Sequence, residues 1–351
     1  MQRNFILTDV MKTGNHNKLE DFINFHSLKD QLFDYTGEYY TLHNFDLDSY
    51  DRKFAIIDIR GANDRLKDSP EFTVELKKRC KLLHSQGFVF IKANPWESLE
   101  NVNNSLQYPE IDIKHIKWNG GVSWFWFYMY EKHLNNKFKF THDHFGSYWH
   151  KKHDFLYLNK QPREHRVSLY NKLLEENILS NSLYTNWPTR KLPLEYELPW
   201  AQDYPQNGMD QDITEQPYID TVCSIVSETN DNDTDVFMTE KIWKPIIAQQ
   251  VFVVHGNHLY LQKLREIGFK TFGSYFNESY DLENDKDKKI NAIVLLCKDL
   301  KTKDWRDIYL QSKALRQHNY DTLFNKEKLS EEINKTLISF LEFADSSQVS
   351  S

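Results

Sequence analysis

Glycine is scarce in this chain, 11 among 351 residues. With aromatic residues at 15% and charged residues at 27%, that scarcity excludes a linker-rich or disordered chain and points to a globular one. Cysteine is rarer still. Cys80, Cys223 and Cys297 are far apart and odd in number, which argues against a disulfide framework. Two of them lie in apolar runs, so buried free thiols in a reducing compartment are expected. No run approaches the ~20 apolar residues of a membrane span, and Met1 to Gly14 lacks the hydrophobic core of a signal peptide. The expectation is a cytoplasmic protein with no membrane span, its sequons at Asn103, Asn232, Asn277 and Asn334 being chance matches. A surplus of basic charge is also missing: the net charge is −7, which disfavours a duplex nucleic-acid partner. Absent too are the Gly-x-Ser-x-Gly, His-Glu-x-x-His, phosphate-loop and Gly-x-Gly-x-x-Gly motifs.

What is present alternates. Strand-like Phe54 to Ile59, Phe88 to Lys92 and Ile111 to Trp118 are interleaved with the basic amphipathic helix Pro70 to Gln86 and an aromatic-rich core segment, Val122 to His133. Asp154 to Asn159 begins a second series. A basic turn, Lys160 to Arg166, leads into a helix from Val167. The strand Thr221 to Val226, a helix capped by Thr239, the strand Val251 to Val254 and the helix Leu259 to Ile267 come next. Phe269 to Phe272 and Ala292 to Cys297 read as further strands, and Trp305 to His318 and Lys326 to Phe343 as helices. This pattern predicts α/β architecture with two doubly wound sheets. The division falls at 1–148, 149–325 and a helical tail, 326–351, and ligands are expected at the carboxyl ends of the strands.

The segment Ser227 to Lys244 carries the most chemistry. Glu228 stands where a strand ends, Thr239 is a good N-cap, and Glu240, Lys241 and Lys244 fall in the first turn or so of the helix. Lys241 and Lys244, three apart, share a helical face. The carboxylates can accept sugar hydroxyls, while the ammonium groups and the helix N-terminus suit phosphates. A capped surface helix is the plainer reading of Thr-Glu-Lys-Ile-Trp-Lys taken alone, and Pro245 removes a hydrogen bond from its second turn. Upstream, Asn159-Lys-Gln-Pro-Arg163-Glu-His165-Arg166 joins a strand to a helix. Its arginine forks fit phosphate oxygens, and a solvated basic loop is the alternative.

Two metal readings fail. Asp231-Asn-Asp233-Thr-Asp235 would need Gly at the sixth position and Glu at the twelfth for a calcium loop, and holds Val236 and Ile242 there. His142 and His144, with His150 beyond, lack a further ligand at a recognisable spacing. No metal is expected.

In their order, these motifs resemble the donor-binding half of the alpha-1,3-fucosyltransferase family, in a divergent branch. Ser227-Glu228-Thr229-Asn230 stands for that family's Phe-Glu-Asn-Ser-like strand end, and Thr239-Glu240-Lys241 for its helix start. Val251 to Gly256 matches its apolar strand ending at Gly, and Phe155 to Asn159 with Arg166 matches its strand, Asn-containing turn and Arg-led helix. The resemblance spans Asp154 to Gly256. It implies a GT-B fold with two Rossmann-like domains, acceptor in the first and nucleotide sugar in the second. It also implies an inverting, metal-independent transfer from a nucleotide-diphosphate donor, a GDP-sugar favoured, to a glycan hydroxyl, with no cofactor. The donor-binding residues so implied are Asn159, Arg163, Arg166, Glu228, Asn230, Thr239, Glu240, Lys241 and Lys244. Inversion needs a carboxylate base, and Asp58, Glu97 and Asp143 are the candidates by position at strand ends. Alternatives are a viral-type sugar transferase acting on a modified base in DNA, and a non-catalytic nucleotide-sugar-binding module.

Overall fold

The structure, a computed structural model, describes residues 5–9, 34–36, 39–50, 52–57, 70–92, 113–115, 120–134, 146–159, 162–185, 213–229, 231, 236–333 and 335. The chain divides into two compact units, Met1–Trp124 with Ile333–Ser351, and Phe125–Glu332. The junction lies earlier than the one read from the sequence.

In the first unit, strands β1 (Phe5–Asp9), β2 (Asp34–Thr36), β3 (Arg52–Ile57), β4 (Val89–Lys92) and β5 (Ile113–His115) form a parallel sheet in the order β2-β1-β3-β4-β5. Helix α1 (Pro70–Ser85) joins β3 to β4. It opens on a proline, whose missing N–H is harmless in a first turn. Leu76, Cys80 and Leu83, spaced four and three apart, form its buried stripe with Phe54, Phe88 and Phe90 in the same core.

The second unit holds β6 (His153–Tyr157), β7 (Ser182–Tyr184), β8 (Thr221–Ser227) and β9 (Val251–His255), all parallel, in the order β7-β6-β8-β9. Its helices are the later part of α2 (Gly120–His133), then α3 (Glu164–Glu175), α4 (Glu215–Asp220), α5 (Glu240–Ile247), α6 (Tyr260–Glu266), α7 (Lys286–Thr302), α8 (Trp305–Gln311) and α9 (Lys313–Leu323). Every residue of β8 and β9 is buried, which is why these strands read as largely apolar runs without a polar face. From α2, Trp126 is fully buried, its ring 5.8 Å from Trp243 and 5.0 Å from Phe269, and its indole N–H donates to the Leu323 carbonyl at 2.7 Å. The three cysteines are buried and free. Among the described residues no helix is long and apolar enough to cross a membrane.

Three expectations are corrected. Ala292 to Cys297 lies inside α7, where Ile290, Ile293, Val294, Cys297 and Leu300 are buried at helical spacing and Leu295 is exposed. Phe269 to Phe272 is not a strand. The Asn319 side chain takes the place of a pairing partner there, accepting from Lys270 N–H (2.7 Å) and donating to its carbonyl (2.8 Å). Helix α3 begins at Glu164 rather than Val167, so Arg166 belongs to its first turn.

The order β7-β6-β8-β9 positions the site. From β6 the chain leaves toward β7, and from β8 it leaves in the opposite direction, toward β9. Their carboxyl ends therefore flank a topological switch point, the crevice where open α/β sheets take ligands.

Candidate functional site

Glu228 follows the last residue of β8, and its N–H still pairs across the sheet with the His255 carbonyl at 2.8 Å. The residue is fully buried, and four donors converge on its carboxylate. Oε1 accepts from the Thr239 N–H (3.1 Å) and the Tyr260 hydroxyl (2.7 Å). Oε2 accepts from the Thr239 hydroxyl (2.6 Å) and the Thr229 N–H (3.2 Å). Burial, and next the Glu228 carboxylate, push the Tyr260 phenol far above its usual range, so it stays protonated and donates. The strand end and the start of α5 are thereby stitched through one side chain.

The cationic groups gather around the same two residues. The Glu228 carbonyl accepts from Arg166 through Nε (3.0 Å) and Nη2 (2.8 Å), and the Thr229 carbonyl accepts from Arg163 Nη1 (2.8 Å). Among the described residues Arg166 Nη1 has no partner. Burial, and then neighbouring Arg163, lower the Arg166 pKa, yet a guanidinium keeps its charge. The three protons of the Lys241 ammonium go to Thr229 Oγ1 (3.0 Å), Thr239 Oγ1 (3.1 Å) and Glu240 Oε1 (2.7 Å). Burial works to raise the Glu240 carboxyl, but Lys241 and Lys244 outweigh it and hold the pKa below the usual carboxylate range.

Two histidines lie beneath. His165 Nε2 is 3.0 Å from the Glu228 carbonyl; a carbonyl only accepts, so Nε2 carries the proton. Burial pushes His165 down, against the pull of that carbonyl and of Asp231. Asp231 stands 3.6 Å from His165 Nδ1 and 3.1 Å from the Lys286 ammonium. His255, 5.5 Å away ring to ring and 1% exposed, is pushed down to about 3 by burial and then by His165. Neither ring carries charge near neutrality.

Asn159, after β6, is 3% exposed. Its backbone is satisfied, the N–H donating to Thr185 Oγ1 and the carbonyl accepting from that hydroxyl, both at 2.8 Å. Both polar atoms of its side-chain amide lack a hydrogen-bond partner. A buried amide seldom stays unmet without a bound water or ligand group.

The chain is similar to solved structures of an alpha1,3-fucosyltransferase. One, titled simply as the crystal structure of that enzyme, is 10% identical, with 92% of this chain and 81% of that chain covered at a TM-score of 0.44. Another, with GDP-fucose, is 12% identical over 97% of this chain and 90% of that chain, at 0.44. The structure with GDP is 11% identical over 97% and 89%, at 0.43. No family model and no curated protein matches the sequence.

Of the residues singled out from the sequence, Asn159, Arg163, Arg166, Glu228, Thr239, Glu240 and Lys241 lie at the carboxyl ends of β6 and β8 or at the caps and first turns of α3 and α5, and Lys244 lies in the last turn of α5. Asn230, and the three carboxylates Asp58, Glu97 and Asp143, lie outside the described residues. So do His142 and His144. Among the described residues no group of three or more His, Cys, Asp or Glu side chains is placed to hold a metal ion. Sequence reasoning missed Thr229, His255 and Tyr260. His255 had a local signal, a lone imidazole closing an apolar strand; Tyr260 had none, since it reaches Glu228 across 32 positions.

Proposed function

We propose that the chain is a glycosyltransferase that takes its sugar from a nucleoside diphosphate, a GDP-sugar favoured, held at the β6–β8 switch point. The observation that carries this reading is the meeting there of two helix N-termini with three cationic side chains, Arg163, Arg166 and Lys241, all anchored on Glu228 and Thr229. Helix N-termini and guanidinium forks are complementary to phosphate oxygens. As the glycosidic bond breaks, negative charge grows on the departing diphosphate, and fixed cations stabilise it.

All three Lys241 protons are already engaged. An incoming phosphate oxygen would therefore displace one acceptor, and exchange of Glu240 would release that carboxylate to a sugar or ribose hydroxyl. The rest of the proposal is an inverting, metal-independent transfer to a glycan hydroxyl in a GT-B arrangement. Its base would be Asp58 or Glu97 of the first unit, or Asp143.

Thermal-shift measurement against GDP-, UDP-, dTDP- and CMP-sugars tests the reading. A ligand at ~100 times its Kd adds ~2.7 kcal/mol of stability, and one of the four is expected to raise Tm accordingly. Lys241→Ala is expected to weaken that ligand about tenfold or more, the worth of a charge-assisted hydrogen bond. Stabilisation by none of the four would refute the proposal.

A further inference from the structure

We propose that Glu228 is a positioning residue, acting through Thr239 on Lys241, with Tyr260 as its outermost support. The direction of each hydrogen bond carries the inference. Both Glu228 oxygens accept a backbone N–H, from Thr239 at Oε1 and from Thr229 at Oε2. The Thr239 hydroxyl has one proton, and it goes to Oε2 at 2.6 Å. Its oxygen is thereby turned into a pure acceptor toward α5, where it takes the Lys241 N–H (3.4 Å) and the Lys241 ammonium (3.1 Å). The carboxylate therefore sets the hydroxyl rotor, and the rotor sets the ammonium. With four donors on it, Glu228 has no face left for a substrate hydroxyl, so its contribution is geometric.

Tyr260 completes the relay at 2.7 Å. It reaches Oε1 because residue 256 is glycine: a Cβ there would stand 2.7 Å from Tyr260 Cδ2.

Glu228→Gln keeps the shape and breaks the logic. Wherever its amide nitrogen sits, it faces a backbone N–H that can only donate, and on the Oε2 side it also turns the Thr239 hydroxyl around. Tyr260→Phe removes one donor and keeps the ring, and serves if the glutamine variant does not fold. The first measurement uses no ligand: competitive acetylation of lysines with acetic anhydride, read by mass spectrometry. Lys241 is expected to label about fivefold faster in either variant than in wild type, the equivalent of one lost hydrogen bond, while exposed Lys298 stays unchanged.

The second measurement rests on the proposed function. GDP affinity is measured in a cycle of Tyr260→Phe, or Glu228→Gln, with Lys241→Ala. A relay through Lys241 predicts a severalfold loss with lysine present and no further loss in the alanine background, whereas a general loss of structure would be additive. Unchanged Lys241 labelling, or additive losses, would overturn the inference. If wild type binds no GDP, the preference for a GDP-sugar fails by that result, and the labelling alone decides the relay.

Discussion

His255 ends β9 with its ring almost wholly enclosed, and burial pushes its pKa down to about 3. In the unfolded chain it returns toward 6.5. Between those values the unfolded state binds the extra proton, so the folded state loses stability as pH falls. The slope is about 1.4 kcal/mol per pH unit for one such group, with His165, lowered by the same burial, adding to it. Above pH 6.5 both states are neutral and the effect is absent. Urea unfolding between pH 4 and 7 should show this slope, and His255→Asn should flatten it even if the variant is less stable throughout. Gly256 next door makes a different demand. An added Cβ lies 2.7 Å from the Tyr260 ring, closer than packed carbons approach, so ring or backbone must move. Gly256→Ala is expected to cost about 1–3 kcal/mol, as overpacking does, measured as a lower urea midpoint with an unchanged m-value.

An eight-residue helix such as α5 is too short to persist alone. Two things hold it: the cap at Thr239, and a buried face of Ile242, Trp243, Ile246 and Ile247. Thr239→Ala removes the cap and one of the four Glu228 donors. A loss of about 2 kcal/mol is expected, the upper end for caps, with Thr239→Ser retaining most of it in the same unfolding assay. The cap and the face were legible in advance, because N-cap chemistry and helical spacing are local. So was β8, whose largely apolar, β-branched run matches a strand covered on both sides. Ala292 to Cys297 was misread because a short apolar run fits a strand or a buried helix equally; only the wider spacing from Ile290 to Leu300 separates them. The start of α3 was placed three residues late because Arg163 occupies the N-cap without a side-chain hydrogen bond. The candidate site divides the same way. Its cations follow from local order along the chain, but Tyr260, Thr229 as an acceptor and the enclosed His255 are products of packing across distant segments.

At the scale of the molecule, two parallel sheets account for the alternating pattern of the sequence, and the candidate donor site belongs wholly to the second unit. That unit is closed by a long-range clasp. Trp126, near its beginning, donates to the Leu323 carbonyl 197 positions later, and its ring is covered by Trp243 and Phe269. During synthesis the aromatic face of α2 therefore leaves the ribosome well before its cover exists. At ~5–20 residues per second the wait is roughly 10–40 s. A chain truncated after Met238, short of Trp243, Phe269 and Leu323, reproduces that interval. Limited proteolysis should cut it between Phe125 and His133, where the full chain resists, and it should be retained by a holdase chaperone that releases the full chain. The contact that seals the finished unit is thus also a timer, setting how long each new copy depends on a chaperone before it can stand alone.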